Sequence, residues 1–240
     1  MSTTHRVLVP FELPDADPVP SVLIDTLAAM EVVALGHYGL PEQTPPSVGR
    51  DQFKTDAAAE LDDLARPFEG AGVPVTTRLV FGKARDKTID RVAIEAGCDV
   101  ILTPGLAETA ERVAVPLRGE ENFDRIISFV GELLSATDAS VTLFHTSQAS
   151  DRLPGEDILA NATDRLVEVS VAPDRISRQF AEDDDVGRSI VELEAEFDLL
   201  VLGETEPSLR DRILGTVPAQ VTADTDTPTF VVRNLEKAEP

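Results

Sequence analysis

The sequence predicts an α/β protein built as two tandem units, each a parallel sheet flanked by helices. Three observations predict it. Short aliphatic runs such as Leu199 to Leu202 are apolar on both faces, as a strand buried in a parallel sheet must be. Such runs alternate with stretches at helical spacing, of which Phe123, Ile126, Ile127, Val130, Leu133 and Leu134 form the clearest stripe. The pattern HRVLVPF from His5 returns as ERVAVPL from Glu111. The repeat length of roughly 100 residues is too long for a solenoid unit and right for a domain.

In the first unit, residues 1–109, Arg6 to Pro10 reads as a strand and Phe11 to Pro20 as a loop rich in Pro and Asp. Ser21 stands at the start of a short helix, Val22 to Met30. Glu31 to Leu35 is the second strand, closed by Gly36, His37, Tyr38 and Gly39. A helix follows from about Asp51 to Glu69, with Phe53, Ala57, Leu61, Leu64 and Phe68 on one face and Gly70 and Gly72 as the stop. Val73 to Phe81 is a strand, Ala84 to Ala96 a helix ended by Gly97, and Val100 to Thr103 a strand. Only Pro104 to Thr109 remain before the pattern restarts. This unit is therefore expected to lack a last helix and strand.

The second unit, residues 110–240, opens on the strand ending Val115-Pro116. Its helix over Glu121 to Ala136 carries Glu120, Glu121 and Asp124 near its positive end. Ser140 to Phe144 is a strand ending in His145, and a weaker helix spans about Glu156 to Val169. Ile176 to Phe180 is a strand, and a helix runs from about Val186 to Glu196. The strand Leu199 to Leu202 stops at Gly203. Pro218 fits the first turn of a further helix, and Pro228 introduces the final strand, Thr229 to Val232.

Composition sets limits. The chain has 240 residues with 44 acids against 21 bases, a net charge of −23, and only four lysines: Lys54, Lys83, Lys87 and Lys237. Two readings fit. One is an acidic face for a basic partner. The other is adaptation to a salt-rich cytoplasm, because at molar salt the Debye length falls to ~3 Å and carboxylate repulsion is screened. Either way nucleic acid is not an expected partner, since a phosphate backbone needs a basic patch. No apolar run reaches the ~18 residues of a membrane span, and MSTTHR is no signal peptide, so a cytoplasmic protein is expected. The single cysteine, Cys98, excludes an internal disulfide and a cysteine metal cluster.

The richest stretch is Asp198 to Arg233. Gly203 follows a buried strand directly, which lets backbone N–H groups approach a ligand. Gly215 and Thr216 stand at a helix start, where free N–H groups and the dipole suit a phosphate. DLLVLG, then GTV from Gly215 to Val217, then TPTFVVR resembles the C-terminal half of a universal stress protein domain, and the repeated first strands and the Asp-led fourth strands (Asp99 and Asp198) extend the resemblance to both halves. The resemblance implies a tandem universal stress protein on an adenine nucleotide alpha hydrolase-like, Rossmann-type fold. It also implies an ATP or other adenine-nucleotide site at Val115, Pro116, Arg118, Gly203, Gly215, Thr216 and Val217.

The pattern departs from the family's ATP-binding form in three places. Arg118 stands where an Asp is common, Glu206 stands at the second glycine, and only eight residues (Pro207 to Leu214) precede Gly215. A carboxylate in a phosphate cradle repels its ligand, so the site is degenerate. Arg118, Arg210 and Arg212 can answer by meeting phosphates as bidentate donors. They equally suit pairing with local acids. His37 and His145 read as equivalent strand ends, fitting a structural role or ligand contact, and His5 falls near the terminus.

No G-x-S-x-G, P-loop or metal-ligand spacing is present, so no catalysis is expected. The resemblance implies a non-enzymatic stress-response regulator and a homodimer through the final strand. Two alternatives remain: a slow ATP hydrolase using Glu206 or Asp211, and an interaction module working beside a membrane transporter.

Overall fold

The computed structural model describes residues 4–41, 43–117, 122–147, 152–182, 196–204 and 227–234. The chain divides into two compact units, Met1–Leu102 and Thr103–Pro240.

In the first unit β1 (Arg6–Leu13), α1 (Ser21–Thr26), β2 (Glu31–Gly39), α2 (Pro46–Gly70), β3 (Val75–Gly82), α3 (Arg85–Ala96) and β4 (Val100–Thr103) follow in order. The strands stand in the order β3-β2-β1-β4, and every pair is parallel. Leu8, Val33, Leu35, Ile89, Val92, Ala93 and Cys98 pack α3 on one face of this sheet.

The second unit holds β5 (Arg112–Pro116), α4 (Phe123–Ser135), β6 (Ser140–Ser147), α5 (Arg152–Glu168), a single 3-10 turn (Pro173–Arg175), β7 (Ile176–Glu182), β8 (Leu199–Gly203) and β9 (Thr229–Val232). Its strands run β9-β8-β5-β6-β7, again all parallel. Chain order reverses between β5 and β8. That parting, at the carboxyl ends of the strands, is where open α/β sheets bind ligands.

Where the elements differ from expectation, the cause is local. β2 does not stop at Leu35 but runs through Gly36. A Cβ there would lie 2.8 Å from Leu13 Cδ1 and 3.1 Å from Leu61 Cδ2, so this glycine admits α2 against the strand instead of ending it. β1 passes through Pro10 to Leu13. It pairs with β4 only at Val7 and Leu8, and beyond them one side of the strand carries no ladder, the setting in which proline is tolerated. α1 closes at Thr26, and i to i−3 bonds of the 3-10 type carry the chain on, Leu27 to Ile24 and Met30 to Leu27. α2 starts early because Pro45 and Pro46 begin it. α5 likewise starts ahead of the expected Glu156, at Arg152. The expected helix after Pro218 lies outside the described residues, and the one over 186–196 does so except for Glu196.

Candidate functional site

Each unit is closed by the same device. Asp99, just before β4, accepts the Arg6 amide on Oδ1 at 2.9 Å, and His5 Nδ1 donates to its Oδ2 at 2.5 Å. Asp198, just before β8, accepts the Glu111 and Arg112 amides on Oδ2, each at 3.0 Å, and the Arg112 guanidinium on Oδ1 at 2.8 Å. Burial alone would raise both carboxyls. For Asp99 the His5 and Arg6 bonds outweigh it, and for Asp198 those from Arg112, Glu111 and Thr109, so both sit below the usual carboxylate range. His5, expected near a loose terminus, is in fact buried in this clamp.

At the parting of the second sheet, β5 lies directly beside β8. The parallel ladder therefore brings Pro116 and Gly203, the last residues of these strands, to one edge. Val115 is fully buried and belongs to the core. Gly203 has a packing reason of its own: a Cβ there would meet Ile126 Cδ1 at 2.5 Å, so its absence lets α4 close on β8. Arg118, Gly215, Thr216 and Val217 lie outside the described residues, as do Glu206, Arg210, Asp211 and Arg212.

Sequence reasoning missed three residues at this edge. Asn122, in the left-handed region at φ 59°, precedes α4. Its Nδ2 donates to the Val232 carbonyl at 2.8 Å, an oxygen that also accepts the Glu204 amide at 2.7 Å. Arg233 is only 1% exposed. Its guanidinium makes no hydrogen bond among the described residues, and Glu204 Oε2, which accepts the Asn234 amide, stands 3.9 Å from its Nε. A buried cation so weakly compensated is costly in the absence of an anion. The signal was present in TPTFVVR, where a charge ends an apolar run.

The two histidines are not equivalent. Pro10 pairs with Leu35, and Pro116 pairs with Phe144. His37 is thus two residues past its register point and His145 one residue past, which sends their side chains to opposite faces. His145 faces α5: Nδ1 donates to the Leu117 carbonyl at 2.6 Å and the ring stacks on Phe180 at 5.8 Å. Leu117 lies just beyond β5, so its carbonyl is available. His37 follows Val33 and Leu35 on the α3 face. It is 2% exposed, and among the described residues neither ring nitrogen has a hydrogen-bond partner. Burial first, and then the Arg85 guanidinium, push its pKa down against the opposing pull of Glu12 and Asp86.

No family model matches the chain, and no curated protein matches it. Solved structures do. A universal stress protein from Archaeoglobus fulgidus DSM 4304 matches with a TM-score of 0.63 at 14% identity, over 95% of this chain and 96% of that one. A functionally unknown protein from Pseudomonas aeruginosa PAO1 matches with a TM-score of 0.56 at 13% identity, over 99% and 95%. The cytoplasmic domain of a prokaryotic cation chloride cotransporter matches with a TM-score of 0.52 at 10% identity, over 95% of each chain. The chain therefore has the parallel α/β fold found in universal stress proteins. Among the described residues no helix is long and apolar enough to cross a membrane.

Proposed function

We propose that this chain is a tandem universal stress-type protein that acts by binding and not by catalysis, with a degenerate adenine-nucleotide site in its second unit. The observation that carries the reading is the likeness in fold to a universal stress protein over nearly the full length of both chains. The parting between β5 and β8, with Gly203 on its edge, supports the location. Arg233 supplies the positive charge for phosphates beside Glu204, joined by Arg118, Arg210 and Arg212. Units 1–109 and 110–240 are then two copies of one domain, the first shortened by its last helix and strand and unable to hold a nucleotide. Binding alters the surface beside the site, a coupling that needs only differential affinity for two states. The protein works as a cytoplasmic homodimer.

The test is purification in high-salt buffer, denaturation, and mass spectrometry of whatever is released. Stoichiometric adenine nucleotide is the expected result. An empty protein with no thermal shift on adding ATP overturns the nucleotide site. Turnover of ATP abolished by Glu206→Gln would overturn the non-enzymatic reading. A monomer at micromolar concentration on sedimentation would overturn the homodimer.

A second reading has its own support. The cotransporter's cytoplasmic domain has the same fold over 95% of this chain, and fold alone does not choose a function. An interaction module beside a membrane transporter would be empty of nucleotide and would co-purify with a membrane partner.

A further inference from the structure

His37 stands near the carboxyl end of β2, buried under α3, and among the described residues both ring nitrogens lack a partner. β3 presents Val80 across the ladder and Gly82 beyond it, neither of them charged, and a Cβ added at Gly82 would lie 3.5 Å from His37 Nε2. Arg78, further back on the same face of β3, pairs with Leu35. The charges that act on the ring come from two other elements. β1 supplies Glu12, its partner across the ladder, and α3 supplies Arg85 and Asp86 from its first turn. Arg85 Nε is buried and has no hydrogen bond among the described residues. Its guanidinium stands 3.7 Å from Glu12 Oε2 and 4.0 Å from Asp86 Oδ1. The first turn itself is closed at one carbonyl: the oxygen of Ala84 accepts the Thr88 amide at 3.1 Å and the Thr88 hydroxyl at 2.8 Å. Ala84 has no side chain with which to cap the helix.

A neutral imidazole suits this setting and a charged one does not. Protonation gives the ring two N–H donors and a full charge, out of water and beside a guanidinium, with no acceptor in place. Glu12, whose side chain is 70% exposed, has the freedom to turn toward the ring, but it is also the carboxylate that stands at Arg85. Asp86 belongs to α3 and moves with it. We propose that His37 is an acid sensor in the first unit: once protonated it draws Glu12 away from Arg85, and the first turn of α3 opens. Opening lets the imidazolium reach Glu12 and water. The direction agrees with the electrostatics. Burial and then Arg85 hold the ring below the ordinary histidine value, so the opened form takes up its proton first, and opening grows as pH falls below about 6.5. The sensor does not depend on nucleotide binding in the second unit. It also sets His37 apart from His145, whose Nδ1 already bonds the Leu117 carbonyl.

The test is amide hydrogen exchange on the full chain at pH 7 and pH 5.5, corrected for the intrinsic pH dependence of exchange. The amides of Thr88 and Ile89 report the first turn of α3, and those of Ile127 and Val130 in α4 are the control. From pH 7 to pH 5.5 the α3 amides should exchange severalfold faster, toward the limit of about tenfold per pH unit that one proton taken up on opening allows, while the α4 amides hold steady. His37→Gln leaves nothing to charge and should abolish the rise. Glu12→Gln changes an exposed side chain, so it folds, and by removing the partner of Arg85 it should quicken α3 exchange already at pH 7. Thr88 and Ile89 amides indifferent to pH, a rise that α4 shares equally, a rise that survives His37→Gln, or Glu12→Gln exchange at pH 7 equal to that of the unaltered chain overturns the proposal.

Discussion

Asp99 shows how much a single carboxylate can organise. It holds the first amide of β1 and the ring of His5 at once. Asp99→Ala leaves the Arg6 amide without its partner, and chemical denaturation should read a loss of about 1–3 kcal/mol. Asp198→Ala should act the same way on the second unit, by less, because its bonds are more open to water. The pH dependence follows from the lowered carboxyls. In the unfolded chain they bind protons from about pH 4 downward, and in the folded chain only at lower pH. Their contribution is complete above that range and is lost as pH falls through it. His37, with its pKa also depressed, adds a loss that begins below about pH 6.5, where the unfolded imidazole charges and the buried one does not. A denaturation midpoint that stays flat from pH 7 to pH 4 would contradict the His37 effect, and one that stays flat below pH 4 would contradict the carboxylate effect.

At the scale of elements, glycines and one arginine set the packing. A Cβ at Gly155 would stand 2.4 Å from His145 Cδ2 and 2.8 Å from Phe180 Cε2. Both are rigid rings, so Gly155→Ala must push α5 off the sheet and should cost about 1–3 kcal/mol. Arg175 ties the end of α4 to the start of β6: its guanidinium donates to the carbonyls of Leu134 at 3.1 Å, Thr137 at 2.8 Å and Ala139 at 2.8 Å. An ammonium cannot reproduce that planar fork. Arg175→Lys should lower the thermal midpoint nearly as far as Arg175→Ala does, and full rescue by lysine would contradict this.

The sequence made the elements legible because parallel strands read as aliphatic runs and α4 as an unbroken stripe. Val100 to Thr103 and Thr229 to Val232 come out with the bounds the sequence suggests. It was less informative about what glycine and proline do inside strands. Gly36 and Pro10 read as ends and are interior: the atoms that explain Gly36, those of Leu13 and Leu61, belong to other elements, and Pro10 is explained by where the ladder to β4 stops. The candidate site was legible only as strand ends. That His37 and His145 face opposite ways depends on register, which no single strand encodes. Arg233 and Asn122 matter through partners about thirty and 110 positions away, respectively.

For the whole molecule the governing quantity is charge. With a net charge of −23, folding gathers like charges that an extended chain keeps apart. Raising potassium chloride from 0.1 M to molar shortens the screening length from about 10 Å to about 3 Å, and the thermal midpoint should climb across that range. A midpoint indifferent to salt would favour the other reading of the acids, a surface for a basic partner.

The clamps also bear on how the chain is made. His5 is joined to Asp99 across 94 positions, and Glu111 to Asp198 across 87. During synthesis the opening strand of each unit emerges long before the carboxylate that fastens it. The first unit cannot lock until nearly all of its length has left the ribosome, nor the second until about two thirds of its own has, because the entropy of closing so long a loop is recovered only by the contacts that come last. The earlier unit fastens first, at Asp99, while the later one is still unmade. A nascent chain stalled between Asp99 and Asp198 would therefore present one sealed sheet followed by a tail with nothing yet to hold it.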